Sequence, residues 1–219
     1  GKSELISALT QRNIKLGRTT LLANYTENML RKFLDSRLMP AIKLNRDISH
    51  LIPEKGRARV LKDRIVLDNM TLFTASMTLS QLQAVSVDCV IMDEIWLAKE
   101  EAGGLIRYAK GRGHDRAAFK FINVSQASLA HSPWHHHVTQ ASEFHFGTTC
   151  DGCGESFLYD WDFIKWDDVQ LEAGGRDLDA CADTARLECP HCNHQHKDEH
   201  NTRSRLSSRG SYTQTSWGR

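Results

Sequence analysis

The chain has 219 residues, of which 40% are hydrophobic and 25% charged, so it can form one α/β domain and a small second module. Lysine and arginine number 28 against 27 acidic residues, and the net charge of +1 supplies no general attraction to nucleic acid. A signal peptide and an apolar run of 18 residues are both absent from the sequence, which gives no support for a secreted or membrane-spanning protein.

The first three residues resemble the end of a phosphate-binding loop. Gly1–Ser3 reads Gly-Lys-Ser, the last three positions of the pattern G-x-x-x-x-G-K-[ST]. Because the chain starts there without a methionine, we expect a fragment whose first half of the loop lies upstream; a chance tripeptide is the alternative. The residues from Lys2 to about Lys15 predict the helix that follows such a loop, with Leu5, Ile6 and Leu9 on one side.

The next elements alternate between strands and helices. A helix capped by Thr26 carries apolar residues at helical spacing through Leu38, and Pro40 is expected to end or bend it. The predicted strands are Thr19–Tyr25, a pair within Arg64–Ser76 that turns near Asp68-Asn69, Asp88–Trp96 and Ala118–Ser128. This order predicts an α/β fold with a mostly parallel sheet and helices on both faces. Together with the Gly-Lys-Ser motif, it is the fold expected of a P-loop NTPase.

The strand that ends in two acids supports a nucleotide site. Four apolar residues precede Asp93 and Glu94, and in P-loop NTPases such a strand delivers its acids at the carboxyl edge of the sheet. Lys2 would then neutralise phosphate charge of ATP, while Ser3 and Asp93 would hold Mg²⁺ and Glu94 would orient or activate water.

A polar segment ends the following strand. Ser125 and Gln126, within Asn123–Ser128, are candidates for sensing the γ-phosphate, and a plain polar loop is the alternative. The local basic stretch best suited to DNA phosphates is Tyr108–Arg116, which we expect either to contact them or to be a solvated loop.

Two C-x-x-C pairs predict a structural zinc site; two unrelated pairs or a redox C-x-x-C are the alternatives. Cys150 and Cys153 form the first pair, and Cys189 and Cys192 form the second. Four thiolates suit tetrahedral Zn²⁺ and leave no open position for an activated water. The residues that follow the pairs, Gly154 and Asn193, stand where such turns accept a left-handed backbone.

The remaining cysteines and histidines are weaker candidates. Cys89 is interpreted as a core residue and Cys181 is left over. One of the histidines near the second pair could replace a cysteine as ligand; these are His191, His194 and His196. His135–His137 is expected to be a solvated loop, since adjacent residues do not converge on one point. Residues 197–219 are polar and expected to be loosely ordered.

Taken in order, these segments resemble the GpA-type large terminase subunits of tailed bacteriophages. The similarity rests on GKSE, VIMDE, the strand ending NVS, the segment Phe144–Trp166 and the second knuckle in Ala185–His196. The resemblance implies a motor that hydrolyses ATP to package double-stranded DNA, binding phosphate and Mg²⁺ through the residues named above, with Gly1 in the loop. It divides the chain into an ATPase domain (1–147), a zinc-binding module (148–196) and a tail (197–219) that leads to a nuclease domain elsewhere.

The resemblance also implies partners and a location. These are double-stranded DNA, a terminase small subunit, the portal protein and further copies of the chain, in the cytoplasm of the host cell and without a membrane. No later acidic cluster predicts nuclease chemistry in this chain, although the full-length enzyme is expected to be an endonuclease. The sequence departs from the family in lacking basic residues in Leu79–Asp88 and in having Gln126 within VSQAS.

Three alternatives remain from the sequence. A superfamily-2 helicase would share the GKS loop and the D-E strand, although a zinc module directly after the coupling strand disfavours it. A zinc-ribbon adaptor would bind nucleic acid without catalysis, with an accidental GKS. A degraded prophage fragment would have no activity.

Overall fold

The computed structural model describes residues 1–53, 61, 63–82 and 85–217. The chain divides into two compact units, Gly1–Val138 and Thr139–Arg219. Within the described residues, no helix has both the length and the apolar character needed to cross a bilayer.

The first unit is built on a five-stranded sheet with the order β2-β3-β1-β4-β5. Its strands are β1 (Thr20–Asn24), β2 (Arg64–Val66), β3 (Thr71–Ser76), β4 (Cys89–Asp93) and β5 (Lys120–Val124). Strands β3, β1, β4 and β5 are parallel, and the short β2 joins β3 as an antiparallel edge strand. The mostly parallel α/β sheet predicted from the sequence is confirmed, including the antiparallel pair within Arg64–Ser76.

Helices cover both faces of this sheet because its central strands are apolar on both sides. The helices are α1 (Lys2–Lys15), α2 (Glu27–Phe33), α3 (Met39–Leu44), α4 (Leu79–Leu82), α5 (Ala102–Lys110) and α6 (Pro133–Thr139). Leu22 and Ile91 pack with Ile6 of α1 in one buried cluster. Their strand neighbours point to the other face, where Val90 packs with Leu105 of α5 in a second cluster.

Two details of the first helices differ from a simple helical pattern. Leu5 is half-exposed, while Ile6 is buried and Leu9 packs at the edge of the core. The helix that Pro40 is predicted to end or bend continues through a π-helical turn, Leu34–Leu38, into α3. A wider turn just before a proline accommodates the missing N–H and the bulk of the ring, and Pro40 lies in the first turn of α3.

The second unit consists of two small antiparallel sheets and two helices. One sheet has the order β11-β6-β7, and the other has the order β10-β9-β8. The elements are β6 (Glu143–Thr149), β7 (Ser156–Leu158), β8 (Ile164–Lys165), α7 (Leu178–Asp183), β9 (Arg186–Glu188), β10 (Gln195–Lys197), α8 (His200–Ser208) and β11 (Ser211–Ser216).

Two expectations of irregular structure are wrong. The tail expected to be loosely ordered forms α8 and β11, and β11 pairs with β6, from Ser211 opposite Gly147 to Ser216 opposite Glu143. His135–His137, expected in a solvated loop, lie in α6. These residues are polar because they form a short, mostly exposed helix followed by a strand at the edge of a sheet, and not because they are disordered.

Candidate active site and metal centre

The carboxyl ends of three parallel strands meet at one edge of the first unit's sheet. Asn24 of β1 is paired in register with Asp93 of β4, and Asp93 is paired with Val124 of β5. Glu94 and Ser125 are the next residues on their strands. The register therefore places the two predicted acids and the predicted phosphate-sensing serine at the same edge.

Glu94 adopts a backbone conformation that is rare for its residue type. Its φ is 60°, in the left-handed region, while its N–H donates to the Val124 carbonyl at 2.8 Å and its carbonyl accepts from the Leu97 N–H at 3.0 Å. Such an outlier costs on the order of 1–3 kcal/mol and is typical of functional sites. The turn directs the carboxylate toward two donors, because Oε1 forms an ion pair with Lys2 and Oε2 accepts from the Trp96 indole N–H at 2.5 Å.

Asp93 has the properties expected of a cation ligand. Asn24 donates its Nδ2 to Oδ2 at 3.0 Å, whereas Oδ1 is buried and has no hydrogen-bond partner among the described residues. Burial raises the pKa of Asp93, and the Glu94 carboxylate adds to the rise while the Lys2 ammonium opposes it. An orphaned buried carboxylate oxygen fits a hard divalent cation such as Mg²⁺.

Of the N-terminal motif residues that the structure describes, Lys2 forms a hydrogen bond with an acid of the site and Ser3 does not. Lys2, in the first turn of α1 after its N-cap Gly1, lies against Glu94. Ser3 is half-buried, and no hydrogen bond joins its side chain to Asp93 within the part of the chain that the structure describes.

The two polar residues after β5 also differ. Ser125 Oγ accepts the backbone N–H of Trp96 at 3.1 Å, which joins it to the turn that follows Glu94. Gln126 has an exposed side chain, and its backbone carbonyl accepts the indole N–H of Trp134 at 3.1 Å. The structure therefore connects Ser125 with the acids by contacts and leaves Gln126 facing solvent.

Among the described residues, Asn24 and Trp96 contact the acids of this site without belonging to a motif that the sequence analysis names. The sequence carries a signal for Asn24, because this polar residue stands at the end of an otherwise apolar strand. The two hydrogen bonds of Trp96 have no counterpart in sequence pattern.

The four cysteines of the second unit form one compact cluster. One ligand atom from each lies within 4.8 Å of all the others. The Sγ atoms are 3.7 Å apart for Cys150 and Cys192 and 3.8 Å apart for Cys153 and Cys189. Tetrahedral Zn²⁺ with Zn–S bonds of about 2.3 Å requires sulfurs about 3.8 Å apart, so the cluster fits zinc.

Each pair sits in the same kind of turn. Backbone N–H groups point at the first sulfur of each pair, from Gly152 to Cys150 at 3.2 Å and from His191 to Cys189 at 3.4 Å. Gly154 has φ of 77° and Asn193 has φ of 58°, which confirms the left-handed positions predicted after the pairs.

The thiols of the cluster influence one another's pKa. Burial raises the pKa of Cys189, but the N–H groups of His191 and Cys192 and the neighbouring thiols lower it to about 7. The N–H group of His194 lowers the pKa of Cys192, but burial and the neighbouring thiols raise it to about 12. A thiolate is the form that binds metal, so binding of a metal ion would release protons from the cluster.

The histidines stand outside the metal cluster. Among the described residues, the four cysteines are the one group placed to hold a metal ion, which favours the plain four-cysteine set over one that includes a histidine. His196 is buried beside Asp151, with Nδ1 at 3.5 Å from Oδ2, and packs edge-on against His194. Cys89 is buried in β4, as expected for a core residue, and Cys181 is buried in α7.

The basic stretch Tyr108–Arg116 lies at the other edge of the sheet. It runs from the end of α5 toward the start of β5, where Lys120 pairs with Cys89 at the start of β4. Arg116 there lies 3.5 Å from Asp88. The stretch is therefore separated from Asp93 by the length of the strands, and its contact with DNA stays a prediction.

A family model described as "Phage terminase large subunit gpA, ATPase domain" matches residues 1–212. The chain belongs to this family. The match confirms the resemblance drawn from the motifs. The matched range includes both the α/β sheet with its acidic edge and the four-cysteine cluster, which is consistent with zinc binding.

Solved structures of phage large terminases show a distant likeness. The ATPase domain of the Thermus phage P74-26 large terminase has a TM-score of 0.49 at 13% identity, over 65% of this chain and 61% of that chain. An alanine variant of the same domain gives 0.48. The large terminase of another thermophilic bacteriophage, in complex with ADP, gives 0.33 at 17% identity, over 48% of this chain and 25% of that one. No curated protein is a significant match.

Proposed function

We propose that this chain is the ATP-hydrolysing motor part of a phage large terminase subunit, which packages double-stranded DNA into a capsid. The observation that carries the proposal is the contact between Lys2 and Glu94, two motif residues 92 positions apart that the sheet brings together. A lysine at the start of a helix, beside two acids at a sheet's carboxyl edge, is the arrangement that phosphoryl transfer from ATP uses.

Each side chain has a role in that reaction. Lys2 neutralises charge on the β- and γ-phosphates, with the backbone of Gly1 beside them, and Glu94 orients the attacking water or accepts its proton. Asp93 and Ser3 would hold Mg²⁺, which supplies charge neutralisation at the phosphates when bound. Ser125 and Gln126 would sense the γ-phosphate, and the contact of Ser125 with the turn after Glu94 favours it over Gln126.

The cysteine cluster has a structural role in this proposal. Four thiolates fill the coordination shell of Zn²⁺, so Cys150, Cys153, Cys189 and Cys192 would hold the second unit together rather than activate water. Residues 1–147 would then form the ATPase domain and 148–196 the zinc module. Nuclease chemistry would belong to another part of the full-length enzyme.

The partners follow from the family. Terminases belong to a DNA-packaging machinery, and we assign to this chain double-stranded DNA, a small terminase subunit, the portal protein and other copies of itself in a ring. The work would take place in the host cytoplasm. If Tyr108–Arg116 contacts DNA phosphates, the affinity for DNA should fall steeply as salt rises.

The test is ATP hydrolysis by the full-length subunit, with and without double-stranded DNA. We expect DNA-stimulated turnover that falls at least about 100-fold in Glu94→Gln and in Lys2→Ala. Lys15→Ala is the matched control, because Lys15 lies in the last turn of the same helix and pairs with Asp47 in solvent. Turnover that survives both substitutions would reject the site. A folded, zinc-loaded protein without turnover would favour the zinc-ribbon adaptor.

A further inference from the structure

Trp96 donates both of its N–H groups to residues of the proposed site. Its backbone N–H bonds to Ser125 Oγ at 3.1 Å, and its indole Nε1 bonds to Glu94 Oε2 at 2.5 Å. The residue is half-buried in the 3-10 turn Ile95–Glu101, directly after the left-handed Glu94. One side chain and its own backbone thus connect the end of β4 with the end of β5.

The two donors on the Glu94 carboxylate are physically different. Lys2 has a flexible side chain whose ammonium pairs with Glu94 Oε1, and under the proposed function this ammonium also binds the phosphates of ATP. The indole of Trp96 is a rigid ring with a single donor, and its position is set by two side-chain torsions and by a backbone bond to Ser125. When Lys2 turns to phosphate, the indole N–H is the donor that stays on Glu94.

We infer that Trp96 is a positioning residue for ATP hydrolysis, which holds the Glu94 carboxylate in its working direction and links that direction to Ser125. This inference rests on the proposed function. Glu94 needs such a restraint because its backbone is fixed in a strained left-handed turn between β4 and the 3-10 turn, while its side chain has three rotatable torsions before the carboxylate. A water-orienting group misplaced by about 1 Å can lose on the order of 100-fold in rate, so a single fixed donor is consequential.

The experiment removes the indole N–H while keeping a ring at position 96. In the full-length subunit, Trp96→Phe and the isosteric analogue 3-benzothienylalanine at position 96, in which sulfur replaces the N–H, should each lower kcat about tenfold. The KM for ATP and the affinity for ADP should stay within about twofold, because the lost bond acts on the chemical step and not on nucleotide binding. Trp161→Phe is the matched control, since Trp161 is 73% exposed in the second unit.

The link to Ser125 is measured with a double-mutant cycle. Ser125→Ala removes the acceptor of the Trp96 backbone N–H, so the loss from Trp96→Phe should be smaller in that background than in the wild type. If the fold-loss of kcat in the double variant equals the product of the losses in the two single variants, the link between Trp96 and Ser125 is contradicted.

The outcomes separate this inference from the proposed function. Full kcat in the isosteric analogue would overturn the inference, even if Trp96→Phe is inactive, because ring volume would then explain the loss. A wild type without ATP hydrolysis, or an active Glu94→Gln, would overturn the proposed function and this inference with it. Reduced kcat in both ring variants beside an inactive Glu94→Gln would support both.

Discussion

Asn24 illustrates how one buried amide can set the properties of a carboxylate. Its Nδ2 donates to Asp93 Oδ2 at 3.0 Å, and this bond leaves Oδ1 as the free oxygen of a half-buried acid. A residue that orients a metal ligand in this way is needed for metal affinity, although it does not itself touch the metal. Asn24 would act on Mg²⁺ binding through Asp93.

We therefore expect Asn24→Ala to raise the Mg²⁺ concentration for half-maximal ATP hydrolysis by about tenfold, with a smaller effect at saturating Mg²⁺. The measurement is a Mg²⁺ titration of turnover at fixed ATP. Asn45→Ala is the control, because Asn45 also donates its amide to a side chain, that of Gln11 at 2.9 Å, away from the acids. An unchanged Mg²⁺ requirement would show that Asp93 does not depend on this bond.

At the scale of single residues, the sequence predicts the functional residues that belong to motifs. It does not predict the residues that position those motif residues through hydrogen bonds. Lys2 and Glu94 are predictable because their residue types and their order in the chain are typical of nucleotide sites, and the structure brings them into contact. Trp96 and Asn24 act through a ring N–H and an amide whose directions depend on strand register. Register is a property of the folded sheet, and no spacing within a single segment encodes it.

Among the elements, apolar strands were predictable and the polar tail was not. The central strands β1 and β4 are short apolar runs bounded by polar residues, which is the pattern of buried parallel strands. The strand β11 is almost wholly exposed, so it lacks an apolar signal. It forms because β6 offers it a partner far away in the chain, and long-range pairing of this kind is invisible to local periodicity.

The helix α8 is attached to the first cysteine turn by a charge cluster. Asp151 accepts from Arg205 at 2.9 Å and from Arg209 at 2.5 Å, and its side chain is only 19% exposed. Two arginines on one partly buried carboxylate are more effective than a solvent-exposed pair. The tail is thus ordered by contacts that cross the second unit.

We expect Asp151→Asn to lower the free energy of local opening of α8 and β11 by about 1 kcal/mol, because the amide keeps the size of the side chain but loses its charge. The measurement is hydrogen exchange at the backbone amides of β11, which should become faster. Asp198→Asn is the control for the same helix, because Asp198 pairs with Arg203 of α8 at a more exposed position. Equal acceleration in both variants would mean that general charge loss, and not the Asp151 cluster, governs the tail.

On the scale of the whole molecule, the two units are stabilised by different means. The first unit has two extensive apolar clusters on the faces of its sheet. The buried core of the second unit is small and consists of Cys150, Phe157, Leu187, Cys189 and Leu206. Two of these five are cysteines of the proposed zinc site. A core of this size rarely supports a fold alone, so metal ligation should supply much of its stability.

Removal of zinc should therefore unfold the second unit and leave the first unit's sheet intact. We expect a strong chelator to abolish the hydrogen-exchange protection of β6, β9 and β10, while β1 and β4 keep theirs, and added Zn²⁺ should restore the lost protection. Cys153→Ser should give the same result without a chelator, because Cys153 is an exposed ligand whose loss opens the cluster without emptying the core. Protection that persists in the zinc-free protein would show that the antiparallel sheets are stable by themselves, and the four thiols would then have to be explained by something other than structural zinc.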